Sequence, residues 1–244
     1  MAGNWKMYKT PAETTAFFEK FRPLVEKSSH CEIVICPPFT NLAAAVAAVK
    51  GTAIQIGGQN IAWAKEGAFT GEISGPMLVA LGASHAIIGH SERRQYFGET
   101  DETVLKRTQA ALEAGITPIV CVGERLEERE SGNTEAVLVT QFANGIAGLT
   151  PQQFAKIVIA YEPVWAIGTG KTATPEIAAD AHRVIREQVR AKFGKDASDA
   201  VRILYGGSVK PDNVKTLMAQ PEIDGSLVGG AALDAGSFSS IVNF

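Results

Sequence analysis

The sequence predicts an α/β fold, a closed parallel (β/α)8 barrel with outer helices, and three observations support this prediction. Eight short apolar runs alternate with amphipathic helical stretches. Such alternation implies parallel strands joined by right-handed helical crossovers. The chain has 244 residues and no linker rich in Ser, Pro or Gly, and one barrel of this kind takes about 250 residues. We therefore expect a single domain over residues 1–244.

The eight predicted strands are apolar runs, as expected for parallel strands buried on both faces. In chain order they are Met1–Trp5, Ile33–Cys36, Ile54–Gly57, His85–Gly89, Ile116–Cys121, Ile157–Tyr161, Val201–Tyr205 and Ser226–Gly229. The carboxyl ends of barrel strands meet at one face, where the chemistry of such folds takes place. Polar residues and glycines that follow each strand are therefore the candidates for a functional site.

Two helical stretches carry informative prolines. The helix predicted over Pro175–Phe193 has Thr174 as a suitable N-cap, a proline at its first position and Gly194 after its last turn. The pattern over Ala12–Ser28 contains Pro23, which lacks an N–H and clashes with the preceding turn. We expect a kink or a break in that helix just before the proline.

Composition and charge exclude several classes of protein. Hydrophobic residues make up 45% of the chain and the net charge is −3, which gives no overall attraction to nucleic acid or anionic membranes. The chain shows neither the run of about 18 apolar residues of a membrane span nor the apolar core of a signal peptide. The three cysteines have no metal-ligand spacing, which favours free thiols in a reducing compartment. We expect a cytoplasmic protein.

Residues 161–172 join a buried strand, a carboxylate and a glycine-containing loop. Glu162 directly follows the apolar run Ile157–Tyr161, and a proline comes next. Further on, Gly168 and Gly170 suit a rigid loop tip that moves on flexible ends. A lone glutamate at a strand end is more often solvated or salt-bridged than catalytic. These surroundings nevertheless make Glu162 a candidate base beneath a closing loop.

Other polar residues and two glycine clusters also follow predicted strands. Asn4 and Lys6 follow strand 1, and His90 and Glu92 follow strand 4. The glycine clusters precede helix starts, where backbone N–H groups bind anions. These clusters are Gly206-Gly207-Ser208 after strand 7 and Gly229-Gly230 after strand 8, the second leading into a possible short extra helix. Together these residues predict a phosphate pocket beside a base, an imidazole and an ammonium.

Several remaining residues have ordinary structural interpretations. His30, His85 and His182 are expected to be structural hydrogen-bonding residues, and Cys121 is expected to be a small buried hydrophobic residue. The string over residues 168–172 is similar to a Walker A loop. It lacks that loop's first glycine, whose position is taken by Trp165, so we reject a nucleotide-binding interpretation.

Seven segments, in the same order and over nearly the whole chain, resemble the signatures of the triosephosphate isomerase family. They are Gly3-Asn4-Trp5-Lys6, Gly67-Ala68-Phe69-Thr70-Gly71-Glu72, Ile88-Gly89-His90-Ser91-Glu92-Arg93-Arg94, Cys121-Val122-Gly123-Glu124, the Glu162 loop, Tyr205-Gly206-Gly207-Ser208 and Leu227-Val228-Gly229-Gly230. The resemblance implies an enzyme that interconverts dihydroxyacetone phosphate and glyceraldehyde 3-phosphate, in glycolysis and gluconeogenesis. It also implies that the enzyme needs no cofactor or metal and is a homodimer.

The resemblance also implies roles for the strand-end residues. Glu162 would be the base, His90 the electrophile, Lys6 and Asn4 the pair that stabilises the substrate oxygens, and Glu92 the residue that orients Lys6. Phosphate would be bound mainly by backbone N–H groups, at Gly168, Ser208, Gly229 and Gly230.

The isomerisation itself needs one base and two polarising donors. A proton must leave a carbon next to a carbonyl, and the resulting enediolate oxygens must be stabilised. Ser91 is a good N-cap for a short helix after His90, so the positive end of that helix should disfavour the imidazolium. We expect a neutral His90 that donates and recovers a proton between the two oxygens.

The chain departs from the family pattern at its start, because only Met1 and Ala2 precede the first signature segment. We therefore expect a short first strand. The segment Gln59–Ser74 resembles the loop that docks into the neighbouring subunit of the family's dimers, which implies a symmetric homodimer. Two alternative functions stay open: a phosphosugar aldolase that uses Lys6 as a Schiff base, and a barrel that binds phosphorylated ligands without catalysis.

Overall fold

The computed structural model describes residues 1–167 and 172–244. Eight parallel strands close into a barrel in chain order, so the predicted (β/α)8 architecture is confirmed. The strands are β1 (Ala2–Asn4), β2 (Val34–Cys36), β3 (Gln55–Gly58), β4 (His85–Ile88), β5 (Thr117–Val122), β6 (Val158–Tyr161), β7 (Ile203–Tyr205) and β8 (Gly225–Val228). Each predicted strand overlaps one of them.

The helices lie around this barrel. They are α1 (Pro11–Val25), α2 (Leu42–Ala48), α3 (Gly75–Leu81), α4 (Ser91–Phe97), α5 (Asp101–Glu113), α6 (Leu126–Glu130), α7 (Thr134–Gly145), α8 (Pro151–Phe154), α9 (Pro175–Phe193), α10 (Lys195–Ala200), α11 (Val214–Met218) and α12 (Ala235–Val242), with 3₁₀ turns at Phe39–Asn41, Val164–Ala166 and Gly230–Leu233. None of the helices in the described part of the chain is long and apolar enough to cross a membrane.

The first strand closes the barrel. β1 has three residues, the same length as β2 and β7. Ala2 pairs with Val34 on one side and with Leu227 on the other. The last residue of β1, Asn4, therefore lies at the carboxyl face of the barrel together with the ends of the other strands.

Apolar side chains form two layers on either side of the strands. The inner layer fills the barrel with Ala2, Val34, Cys36, Ile87, Ile119, Cys121, Val158, Ala160, Leu204 and Leu227. The larger outer layer packs the helices against the strands. Because residues along a strand point alternately into one layer or the other, both faces of each strand are buried. Because both faces of the strands are apolar, the polar residues of a functional site are expected at the strand ends.

The two prolines with predicted effects behave differently. α9 begins and ends as predicted, because the Thr174 side chain accepts from the N–H of Ile177 and Gly194 is the C-cap. α1 does not break before Pro23, since it continues to Val25. The proline lies in the last turn, so the helix loses only the hydrogen bond that its own nitrogen would make.

Candidate active site

Glu162 follows β6 and is almost completely buried, with 2% of its surface exposed. Its Oε2 accepts from the N–H of Ser91 at 2.9 Å, and its Oε1 accepts from Ser91 Oγ at 3.2 Å. His90 Nε2 lies 2.9 Å from the same Oε1. Burial raises the pKa of Glu162, but the charge and hydrogen bond of His90 and the two bonds from Ser91 outweigh it and hold the pKa below its ordinary value. The carboxylate is therefore in its basic form at neutral pH.

His90 is the N-cap of α4, which corrects the prediction that Ser91 would be the cap. Its Nδ1 accepts from the N–H of Glu92 at 3.2 Å, so the neutral ring carries its proton on Nε2, facing Glu162. Burial lowers the pKa of His90, but the charge of Glu162 and the hydrogen bond to it raise the pKa above its ordinary value. The direction of this shift is opposite to the one expected from the helix end alone, because a carboxylate in contact outweighs a partial charge.

Lys6 lies just beyond β1 in a left-handed backbone conformation, with φ of 51°. Its N–H donates to Asn4 Oδ1 at 3.0 Å, and its Nζ lies 2.6 Å from Glu92 Oε1. Its carbonyl accepts from Gln59 Nε2 at 2.8 Å. A non-glycine residue at positive φ persists only where its surroundings enforce it, and such residues cluster at functional sites. The predicted contact between Glu92 and Lys6 is present in the structure.

A cavity of about 450 Å³ opens at the carboxyl ends of the strands, and it brings most of the predicted residues together. Its lining includes Asn4, Lys6, His90, Glu162, Ser208, Gly229 and Gly230. A Cβ on Gly206 would lie 3.0 Å from Glu162 Cγ, and one on Gly207 would overlap the Tyr205 ring. Neither position therefore has space for a side chain, and the backbone packs directly against Glu162 and Tyr205. Gly168 lies outside the described residues, so its predicted phosphate contact stays a prediction.

Two residues of this region make contacts that the sequence does not predict. Gln59 donates to both the Lys6 and the Cys36 carbonyls, at 2.8 Å and 2.9 Å, which fixes the loop that carries Lys6. Ser91 holds Glu162 rather than capping the helix. Both residues follow a strand end, and Ser91 also carries an N-cap signal, but neither feature specifies these partners.

A third such residue, Glu124, is fully buried beside the segment that follows Glu162. It accepts from Tyr161 Oη at 3.1 Å and from Trp165 Nε1 at 2.8 Å, and its carbonyl accepts from the N–H of Val164 at 3.1 Å. A Cβ on Gly123 would collide with the Glu162 backbone. The β5 end is thus built to hold the start of the loop that begins at Glu162.

His182 and His85, which were expected to be structural, lie away from this cavity. His182 is buried in α9, its Nδ1 lies 3.1 Å from the Glu222 carbonyl, and burial lowers its pKa to about 3. His85 lies at the opposite end of β4. Cys121 instead lies near Glu162, and burial together with the charge of that carboxylate raises the pKa of the Cys121 thiol well above its ordinary value. In the parts of the chain that the structure describes, no group of three or more His, Cys, Asp or Glu side chains could hold a metal ion.

Comparisons with known proteins agree with one another. A family model described as "Triosephosphate isomerase" matches residues 1–244. A protein of that name from Solibacter usitatus is 84% identical over 100% of this chain and 98% of its own length, and one from Citrifermentans bemidjiense is 57% identical over 100% and 97%.

A solved structure shows the same likeness. The crystal structure of triosephosphate isomerase from Bartonella henselae superimposes with a TM-score of 0.90 at 40% identity, covering 100% of this chain and 97% of that one. A match over the full length, at this level of identity, leaves no segment of the barrel outside the likeness. The chain belongs to the triosephosphate isomerase family.

Proposed function

We propose that this chain is an aldose–ketose isomerase that interconverts dihydroxyacetone phosphate and glyceraldehyde 3-phosphate through an enediolate intermediate. The single observation that carries the proposal is the convergence of a carboxylate base, an imidazole and an ammonium on one cavity bounded by glycine-rich strand ends. The reaction needs proton transfer and oxyanion stabilisation only, which these groups supply without a cofactor.

Glu162 is the proposed base. It lines the cavity, and its lowered pKa keeps it ready to accept a proton. Ser91 holds both carboxylate oxygens from one side. To reach a carbon-bound proton in the cavity, the carboxylate must exchange these bonds for contact with the substrate, so Ser91 defines a resting position of the base.

His90, Lys6 and Asn4 are proposed to act on the substrate oxygens. The Nε2–H of His90 is free to polarise a carbonyl once Glu162 turns to the substrate. When that carboxylate leaves, the contact that raises the His90 pKa is lost, and the neutral ring is favoured by its burial. Glu92, 2.6 Å from Lys6 Nζ, fixes the direction of the ammonium.

The phosphate is proposed to bind backbone N–H groups at the ends of β7 and β8. Ser208, Gly229 and Gly230 line the same cavity as Glu162, and a short 3₁₀ turn starts at Gly230. N–H groups at such helix starts attract anions without the entropy loss of long side chains. Gly168 is proposed to add a further contact from the loop, whose closure over the substrate would exclude water and prevent loss of phosphate from the enediolate.

The chain is proposed to act as a homodimer in the cytoplasm. Large apolar side chains are exposed in loops beyond β1 and β3 and on α4, including Met7 at 93%, Tyr96 at 68% and Phe97 at 67% exposure. Apolar surface of this kind marks an interaction surface. The segment Gln59–Ser74 beyond β3 is the proposed contact to the neighbouring subunit.

A coupled assay of glyceraldehyde 3-phosphate formation from dihydroxyacetone phosphate tests the activity. Turnover by the wild-type chain that is lost in Glu162→Gln supports the proposal. An inactive wild-type chain that still binds the substrate would instead indicate a non-catalytic barrel. Borohydride trapping with substrate tests the aldolase alternative, which requires an imine at Lys6. We expect no trapped adduct.

A further inference from the structure

Arg107 is a buried arginine outside the catalytic cavity. It lies on α5 and only 4% of its surface is exposed. A buried guanidinium is unfavourable unless its donors are matched by acceptors. Its acceptors therefore indicate which part of the structure depends on it.

Those acceptors lie at the two ends of the loop that follows β3. Arg107 Nη1 donates to Asn60 Oδ1 at 3.1 Å and to the Ile61 carbonyl. The same nitrogen lies 3.0 Å from Glu72 Oε2. We call residues 60–72 the arm. One guanidinium thus fastens the start of the arm to its end.

The aromatic residues of the arm are attached to the same guanidinium. Arg107 Cζ lies 4.9 Å from the centre of the Trp63 ring, and Trp63 packs edge-on against Phe69 at 5.5 Å. Both rings are exposed, at 43% and 42%. Gly67 and Gly71 take the positive φ values that the turns of the arm require. The arm therefore presents two aromatic rings in one fixed arrangement.

A buried carboxylate links Arg107 to α4. Glu99 is 7% exposed and lies 3.5 Å from Arg107 Nε and 2.6 Å from Arg93 Nε. Arg93 in turn lies over the ring of Phe97, at 5.0 Å. The exposed rings of the arm and of α4 are therefore joined through Glu99, which contacts both Arg107 and Arg93.

We infer that Arg107 is a positioning residue that holds the arm in its binding shape before a second copy of this chain docks on it. The inference rests on the proposed homodimer. Two exposed rings on a loop would otherwise lose conformational freedom when the dimer forms, which weakens association. With both ends fastened, that ordering is already complete in the free subunit.

Arg107→Gln tests the inference, with sedimentation velocity at a series of concentrations and hydrogen exchange of the arm amides. We expect a dimer dissociation constant about tenfold or more higher than that of the wild type, and faster exchange within residues 60–72. Arg107→Lys, which keeps the charge but not the planar fork, should recover part of both effects. Glu72→Gln releases only one end of the arm, so it should change both quantities less. If Arg107→Gln does not fold, Glu72→Gln replaces it as the test.

Arg186→Gln is the matched control. Arg186 makes a similar number of bonds from α9, to the Ser198 carbonyl at 2.7 Å, Glu222 at 2.9 Å and Asp224 at 2.7 Å. Its loss should lower the melting temperature without changing the dissociation constant at temperatures where the chain is folded. A wild-type chain that sediments as a monomer overturns both the homodimer and this inference. A dimeric wild type, with Arg107→Gln equal to it in dissociation constant and arm exchange, overturns this inference alone.

Discussion

The two ends of β4 carry the same pair of residue types in different surroundings. At the amino end, His85 Nε2 lies 3.6 Å from Glu32 Oε1, and Glu32 also binds Arg202 at 2.6 Å. At the carboxyl end, His90 Nε2 lies 2.9 Å from Glu162 Oε1. Both histidines are buried. The residue types alone therefore do not distinguish a structural pair from a catalytic one.

The pKa values of the two histidines move in opposite directions. Burial lowers the pKa of His85, and Glu32, whose charge is shared with Arg202, does not offset it. Burial also opposes protonation of His90, but Glu162 outweighs it and raises the pKa. The difference lies in whether the carboxylate has another cationic partner in contact.

The largest expected effect is the difference in kcat between substitutions of Glu162 and of Glu32. Glu162→Gln should lower kcat on the order of a thousandfold, because it removes the general base. Glu162→Asp, which withdraws the carboxylate by about 1 Å, should lower it on the order of a hundredfold. Glu32→Gln is the control at the other end and should leave kcat unchanged in the coupled assay. Activity of Glu162→Asp within about threefold of wild type would remove Glu162 as the base.

The two histidines should differ nearly as much. His90→Gln should lower kcat about a hundredfold or more, since it removes a donor to the developing oxyanion. His85→Gln should retain wild-type kcat. Equal losses in the two variants, measured in the same assay on folded protein, would mean that His90 acts only through stability.

The contributions of the two histidines to the free energy of unfolding should depend on pH in opposite directions. The folded-state pKa of His90 is raised, so its contribution is present below about pH 6.5 and lost as the pH rises through the raised value. The folded-state pKa of His85 is lowered, so its contribution is present above about pH 6.5 and lost as the pH falls below it. Urea unfolding between pH 5.5 and 8.5 measures both.

The two histidines are expected to change the free energy of unfolding with pH in opposite directions. In the wild type, His90 should make the protein less stable as the pH rises above about 6.5, and His85 should make it less stable as the pH falls below about 6.5. Each effect should be at most about 1.4 kcal/mol per pH unit. His90→Gln should abolish the first effect, and His85→Gln should abolish the second. If both substitutions change the slope in the same direction, the contrast between the two ends of β4 is wrong.

The smallest expected effect concerns two serines in matching positions. Ser91 Oγ donates to Glu162 at 3.2 Å, and Ser84 Oγ lies 2.9 Å from His85 Nδ1. Ser91→Ala should lower kcat by about threefold, because the carboxylate keeps its bond from the Ser91 backbone but loses one orienting contact. It should also raise the pH at which kcat/KM declines in acid, since that bond lowers the Glu162 pKa. Ser84→Ala should change neither quantity.

The amino-acid sequence by itself determined the barrel and the place of its site. Apolar runs and helix signals such as Thr174 and Gly194 depend on neighbours within a few residues, so they can be read directly. Parallel strands end at one face of a barrel, and this rule predicts that Asn4, Lys6, His90 and Glu162 lie together.

Only the tertiary structure decided which of these groups touch and how their protonation responds. Whether Ser91 caps a helix or holds Glu162, and whether His90 gains or loses a proton more easily, depends on distances between residues 71 positions or more apart. The partners of Glu124 and Arg107 are set in the same way, by contacts across the fold. Electrostatic effects change steeply over an ångström in a buried site, and a sequence specifies residue types and spacing along the chain but not those distances.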